Sequence, residues 1–281
     1  MKIIRTVKEM KIYCRKLHED KKTIGFVPTM GYLHDGHVSL MNEARKHADS
    51  LIISSFVNPL QFGPDEDYSS YPRDEAKDVE TAEKHGAEAL FIPPVAEMYP
   101  STLGTKVSVI EGTDVLCGES RPGHFDGVAT VVLKLFEIIK PDIAVFGMKD
   151  AQQTAILKRM VEDFNLDVEI VPAPIVREAD GLALSSRNVN LTSAERAEAP
   201  ALYRILGEAK KLIESSELTA GEETEQWVIN QLQQTLSAEI DYVQMLTFPE
   251  LKPPASAEAE WIIAAAVQYQ NARLIDNITK S

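Results

Sequence analysis

The chain has 281 residues, long enough for about two domains of ordinary size and a substantial core. Its 43 acidic residues outnumber 29 basic ones, for a net charge of -14, which argues against a broad nucleic-acid surface but leaves room for a local anion-binding cluster. No apolar run reaches the roughly 18 residues of a membrane span, the first residues lack a signal-peptide core, and Cys14 and Cys117 match no metal spacing, so a reduced cytoplasmic setting is expected.

The predicted elements alternate along the first part of the chain. Thr6 is placed to cap a helix whose apolar positions are Val7, Met10, Tyr13, Cys14 and Leu17. A strand over 24–27 leads through a glycine-bearing turn into a helix over 37–48. The apolar run over 51–57 is a strand of the kind buried in a parallel sheet. A charged amphipathic helix over 74–85 and a short strand over 89–92 follow. Next come an apolar helix over 128–139 stopped before Pro141, a strand over 143–146, a helix over 151–164 and a strand over 168–171. Repeated β-α-β units predict an α/β parallel sheet with helices on both faces. In such sheets ligands bind beyond the carboxyl ends of the strands, and the loops after Val27, Val57 and Phe146 leave from that edge.

The pattern changes after Pro172-Ala173-Pro174. A polar loop over 176–192 precedes a long helix over 193–215, with Thr192 or Ser193 as its cap, and a second helix over 222–236. Short strands are expected over 241–246, 261–267 and 273–275, which makes this a separate, smaller α+β unit.

Four segments gather polar groups where the sheet edge would present them. In Pro28-Thr29-Met30-Gly31-Tyr32-Leu33-His34-Asp35-Gly36-His37, two imidazoles stand at the mouth of a helix, where unpaired N–H groups and the dipole favour an anion. Two histidines are too few for a zinc site. In Asn58-Pro59-Leu60-Gln61, followed by Tyr71-Pro72-Arg73, the amides can donate to and accept from hydroxyl and carboxylate groups. Gln61 is the better ligand candidate, Asn58 serving equally well to stabilise its loop, and Asp65, Glu66 and Asp67 read as a solvated acidic run.

In Phe146-Gly147-Met148-Lys149-Asp150-Ala151-Gln152-Gln153, Lys149 offers a compact charge for phosphate. Asp150 suits either a helix cap or Mg²⁺, with the cap preferred, and one of the two glutamines is expected to face the crevice. In Asp180-Gly181-Leu182-Ala183-Leu184-Ser185-Ser186-Arg187-Asn188, two hydroxyls and a guanidinium suit a phosphate clamp, although taken alone the segment reads more readily as a capped loop with a surface arginine. Arg121-Pro122-Gly123-His124-Phe125-Asp126-Gly127 reads as a turn, equally well a structural bend or an anion site through Arg121.

Taken in order, PTMGYLHDGH, FVNPLQFG with YPR, RPGHFDGV, FGMKDAQQ, READGLALSSRN and ARLIDN resemble the pantothenate synthetase (pantoate–β-alanine ligase) family over nearly the whole chain. The resemblance implies a Rossmann-like domain of the nucleotidylyltransferase type over 1–175, a smaller lid domain over 176–281, and a homodimer. It implies that pantoate attacks Mg²⁺-bound ATP to give pantoyl adenylate and pyrophosphate, and that β-alanine then releases AMP and forms pantothenate. His34, His37, Lys149 and Arg187 become the catalytic set. Met30, Gly147, Asp150, Val176, Leu184, Ser185 and Ser186 join them around ATP. Gln61 and Gln153 are expected to hold pantoate, with Gln61 also where β-alanine enters. The protein ligands of Mg²⁺ are not specified. Met148, Ala151 and Asn190 depart from the residues frequent in the family, without removing a proposed ligand.

Three other readings compete. A nucleotidylyltransferase acting on a phosphorylated acceptor would share the two histidines, but the paired glutamines suit a hydroxyl and one carboxylate better than a phosphate. A tRNA-charging enzyme fits poorly with a short acidic chain. A non-catalytic nucleotide-binding module would not need His37, Lys149 and Arg187 together.

Overall fold

The computed structural model describes residues 1–64, 66 and 68–280, so Asp65 and Asp67 of the acidic run lie outside the described residues. In chain order the elements are β1 (Lys2–Ile4), α1 (Val7–Glu19), β2 (Ile24–Thr29), α2 (Asp35–His47), β3 (Ser50–Ser55), α3 (Glu75–Lys84), β4 (Ala89–Phe91), α4 (Val95–Met98), α5 (Leu116–Ser120) and α6 (His124–Ile139). They continue with β5 (Ile143–Gly147), α7 (Ala151–Asp163), β6 (Glu169–Ala173), α8 (Ser193–Glu198), α9 (Ala201–Glu214), α10 (Glu222–Thr235), β7 (Glu239–Thr247), β8 (Trp261–Gln268) and β9 (Arg273–Thr279). Two compact units result. One takes residues 1–109, 122–148 and 156–174, and the other takes 110–121, 149–155 and the chain from 175 onward. No helix among the described residues is long and apolar enough to cross a membrane.

The first unit holds a parallel sheet of six strands in the order β1-β4-β3-β2-β5-β6. Side chains alternate across it, as the strand period requires. Val27, Leu51, Ile53, Leu90 and Val145 pack with Met41 and Ala44 of α2. On β2 the neighbouring Phe26 meets Phe136 of α6 edge to face, with ring centres 6.4 Å apart. Helices therefore cover both faces, which is why these strands carry unbroken apolar runs.

The chain order reverses between β2 and β5, which is where ligands collect in open α/β sheets. Proline chemistry opens that point. Six residues of β2 pair with β3, as far as Thr29 opposite Ser55, whereas only Gly25 and Phe26 pair with β5. The Ile24 carbonyl accepts from Asp142 N on the β5 side, and the Thr29 carbonyl accepts from Phe56 N on the β3 side. Alternation then turns Pro28 toward β5, where its missing N–H ends the ladder.

In the second unit β7-β8-β9 form an antiparallel sheet. Trp261, Ile263, Ala265 and Val267 of β8 share one face with Leu202, Ile205, Leu206 and Ala209 of α9 and with Val228 and Leu232 of α10. Two expectations need correction and one alternative is resolved. The single helix over 193–215 is two helices, because Pro200 supplies no N–H and ends α8 before α9 begins. Of the two cap candidates Thr192 is the one used, accepting from Glu195 N while the Glu195 carboxylate accepts from Thr192 N. The segment read as a turn over 121–127 is largely helix. Gly123, at φ 81°, precedes α6, and His124–Gly127 form its first turn.

Candidate active site

The imidazole pair is built by a cap. His34 sits in extended conformation at the N-cap of α2, and its Nδ1 accepts from Gly36 N at 3.1 Å. His37 Nδ1 in turn accepts from His34 N at 3.3 Å. Two histidines thus do what a Ser/Thr and Glu pair does in an ordinary capping box. The rings lie 4.1 Å apart, tilted by 39°. With both Nδ1 atoms accepting from the backbone, the neutral form of each ring carries its proton on Nε2.

The turn before them is held by a carboxylate that sequence reasoning missed. Asp78 of α3 is buried and accepts from Leu33 N at 2.7 Å, Tyr32 N at 3.1 Å and Ser55 Oγ at 3.1 Å. Gly31 adopts φ 82°, and a Cβ there would collide with Ser55 Oγ and Asp78 Oδ2, so only glycine fits. Burial pushes the Asp78 carboxyl above the usual carboxylate range, and the bonds from Leu33, Ser55 and Tyr32 oppose the shift. Only charge on a helix was visible locally, so no sequence signal marked this residue.

Gln61 lies at the end of a short 3-10 turn, Pro59–Gln61, capped by Asn58 through Leu60 N. Asn58 is almost fully buried and bonds in several directions. It donates through Nδ2 to Gln61 Oε1 and to the Gly127 carbonyl, both at 3.1 Å, and its Oδ1 accepts from Tyr99 OH at 2.8 Å. Gln61 Nε2 donates to Met30 Sδ at 3.2 Å, and the Gln61 carbonyl is 2.8 Å from His124 Nδ1. A Cβ on Gly127 would collide with the Leu60 carbonyl, which explains glycine inside the first turn of α6. Asn58 therefore organises Gln61, and Met30 joins the same cluster. Gly147, also assigned to the first unit, ends β5 opposite Ala173.

The second unit carries the cationic candidates. Lys149 is mostly buried in the short 3-10 turn before α7, with its Nζ 3.9 Å from Asp150 Oδ1. The Asp150 carbonyl accepts from Thr154 Oγ1. Gln152 is buried and commits its Nε2 to the carbonyls of Gly112 and Val115 at 2.8 Å each, whereas Gln153, the next residue on α7, is half-buried. Val176 and Leu184 are joined across a hairpin, Leu184 N donating to the Val176 carbonyl at 3.0 Å. Ser185 caps the short 3-10 turn Ser186–Asn190 by accepting from Arg187 N, and Ser186 and Arg187 are half-buried. Lys149 and Ser185 line one small cavity. Ala151, one of the residues that depart from the resemblance, is fully packed.

The family model for pantoate-beta-alanine ligase matches residues 2–279. The chain belongs to the pantoate-beta-alanine ligase family. A pantothenate synthetase of Geobacillus thermodenitrificans is 51% identical over 278 residues, covering 99% of this chain and 96% of that one. The crystal structure of pantothenate synthetase from Thermus thermophilus has a TM-score of 0.92 at 41% identity and 99% coverage of both chains. Pantoate-beta-alanine ligase from Francisella tularensis, solved in complex with β-γ ATP and β-alanine, has a TM-score of 0.81 at 35% identity, with 99% of this chain and 97% of that one covered. This chain is accordingly an enzyme, a ligase of pantothenate biosynthesis, and the sheet architecture expected from the pantoate–β-alanine ligase resemblance is the one found.

Within the first unit Met30 and His34 stand on the loop after β2, His37 in the first turn of α2, and Gln61 on the segment after β3. Within the second, Lys149, Asp150, Gln153, Val176, Leu184, Ser185, Ser186 and Arg187 stand on the start of α7 and on the hairpin and turn over 176–190. Arg177 and Asp276 were also missed. ARLIDN had stood out as a motif with no role attached.

Proposed function

We propose that this ligase joins pantoate to β-alanine through a pantoyl adenylate made from ATP. In the first step the pantoate carboxylate attacks the α-phosphorus and pyrophosphate leaves. In the second, the β-alanine amine attacks the acyl carbon, the carbonyl–oxygen bond breaks, and AMP departs with that oxygen. A carboxylate and a polyphosphate repel one another, so catalysis is mainly positioning and charge neutralisation.

The observation that carries this reading is the imidazole pair at the start of α2. Backbone N–H groups hold both Nδ1 atoms, which directs the ring protons to Nε2 as donors for phosphoryl oxygens, beside a helix end that already favours negative charge. His37 is the proton donor of the pair. Lys149 and Arg187 neutralise phosphate charge, with Gly147, Asp150, Leu184, Ser185 and Ser186 in the nucleotide site, Met30 against the nucleotide and Val176 beside adenine. Gln61 and Gln153 hold pantoate, and Gln61 also meets β-alanine.

Among the described residues no three His, Cys, Asp or Glu side chains gather as a metal cage. Mg²⁺ is then best accommodated by phosphate oxygens and water with one carboxylate such as Asp150, where it would neutralise the polyphosphate. The two free thiols suit a reducing cytoplasm. The family resemblance supports a homodimer, which sedimentation would test.

Omitting ATP, Mg²⁺, pantoate or β-alanine in turn tests the reaction. AMP release should require all four. AMP retained in an acylated or phosphorylated product after β-alanine is supplied would refute the adenylate route.

A further inference from the structure

The ARLIDN motif ends on two buried polar residues of β9. Asp276 is 3% exposed and shares a face of the strand with Leu274, in a place where an unpaired carboxylate would be strongly disfavoured. It is paired from two directions. Arg177 reaches it with both arms of its fork, NH1 to Oδ2 at 2.6 Å and NH2 to Oδ1 at 2.9 Å, and the backbone N–H of Asn277 donates to Oδ1 at 2.8 Å. The same guanidinium donates to the carbonyls of Gly181 and Asn277 and lies 3.5 Å above the centre of the Tyr203 ring. Arg177 is thereby held on its face and its edge, a fit that lysine could not reproduce.

What this pairing holds is the hairpin that leads to the hydroxyl-and-guanidinium turn. Arg177 lies opposite Ala183 across the hairpin, and the intervening bend passes through Gly181 at φ 98°. Asn188 closes the far side by donating to the carbonyl of Ala183 and to the Glu178 carboxylate. Ser185 to Arg187 run between these two ties. Asn277, next along β9, works in the other direction: its Nδ2 donates to the Lys149 carbonyl at 3.1 Å. Lys149, Ser185, Asn188 and Asp276 then line the same small cavity. Burial pushes the Asp276 carboxyl up, and the Arg177 charge and, less strongly, Lys149 oppose that shift.

We propose that Asp276 and Asn277 are positioning residues for the ligase reaction, two adjacent side chains that set the Lys149 backbone and the Ser185–Arg187 turn in one fixed geometry. A role in stability alone explains them poorly, since an apolar pair of the same shape would serve a buried strand at least as well. The proposal rests on the reading of Lys149 as a ligand of the ATP phosphates.

A double-mutant cycle between Asn277 and Lys149 tests it, read by calorimetric titration of a nonhydrolysable ATP analogue so that variants without turnover are still measured. Asn277→Ala should weaken analogue binding about tenfold in the wild-type background and less than about twofold in the Lys149→Ala background. Asn277→Asp, which keeps the shape but loses the donor, should behave like Asn277→Ala, and thermal melts should show both variants folded. Equal losses in the two backgrounds, or no loss in the wild type, would overturn the positioning role. Should Lys149→Ala by itself bind the analogue as well as wild type, the reading of Lys149 fails in that arm alone and takes the proposal with it.

Discussion

Two buried carboxylates anchor the candidate-site loops of the two units, and they do so by different means. Asp78 is surrounded by donors that are neutral: two backbone N–H groups of the 31–34 turn and the hydroxyl of Ser55. Asp276 is paired with a full guanidinium, itself stacked on an aromatic ring. The first arrangement sits beside a six-stranded sheet, with β2 leading into the turn and α2 leading out of it. The second must hold a long irregular segment, 174–192, against a three-stranded sheet. Backbone N–H groups suffice where regular structure delivers them to the carboxylate. A guanidinium fork is needed where the loop has little regular structure of its own.

The sharpest way to break this comparison is through the chemistry each unit contributes. His37→Ala removes a donor from the first unit and Lys149→Ala a cation from the second. Each should slow single-turnover pyrophosphate release by about 10²–10³-fold, with circular dichroism unchanged. A wild-type rate in both variants would refute the assigned roles.

Stability separates the two anchors next. Asp276→Ala leaves the largely buried Arg177 guanidinium without its counter-charge and should cost about 3–5 kcal/mol in urea unfolding. Asp78→Ala strands neutral donors, two backbone N–H groups and the Ser55 hydroxyl, and should cost about 2 kcal/mol. Equal losses would mean that the charge on Arg177 is not what distinguishes the second unit.

The smallest effect concerns the thiols. Burial pushes Cys14, on the core side of α1, up to about 12, and Tyr13 beside it is raised likewise, first by burial and then by Glu88. Both groups keep their protons in the folded state at a pH where the unfolded chain has lost them, so stability falls as pH climbs from about 9 toward 12. Cys14→Ala should flatten that fall, as measured by melting temperature against pH. At pH 8 a thiol reagent should label half-buried Cys117 of the second unit well before Cys14. A slope unchanged by the substitution would show that Cys14 does not contribute to it.

The same contrast explains what the sequence revealed. The β2–α2 turn was legible because its information is contiguous: an apolar strand, Gly31 and Gly36 around a turn, then helical spacing. Its capping by two imidazoles was legible only as a location, since the reciprocal bonds depend on ring orientation. Asn58 was balanced between two roles, and its bonds to Gln61, Gly127 and Tyr99 show it as the organiser of its loop. Asp78 and the Arg177–Asp276 pair were invisible for a common reason. Their partners lie 45 and 99 residues away, and an isolated charge in a helix or strand does not announce a distant partner. The broken helix at Pro200 is a different failure, because the signal was present and the helical period on either side outweighed it.

The central claim, attack by the pantoate carboxylate on the α-phosphorus, is tested most directly by an oxygen label. Pantoate carrying ¹⁸O in its carboxylate, incubated with ATP, Mg²⁺ and β-alanine, should yield AMP bearing one labelled oxygen by mass spectrometry and unlabelled pyrophosphate. Label found in inorganic phosphate or pyrophosphate, with none in AMP, would contradict the account.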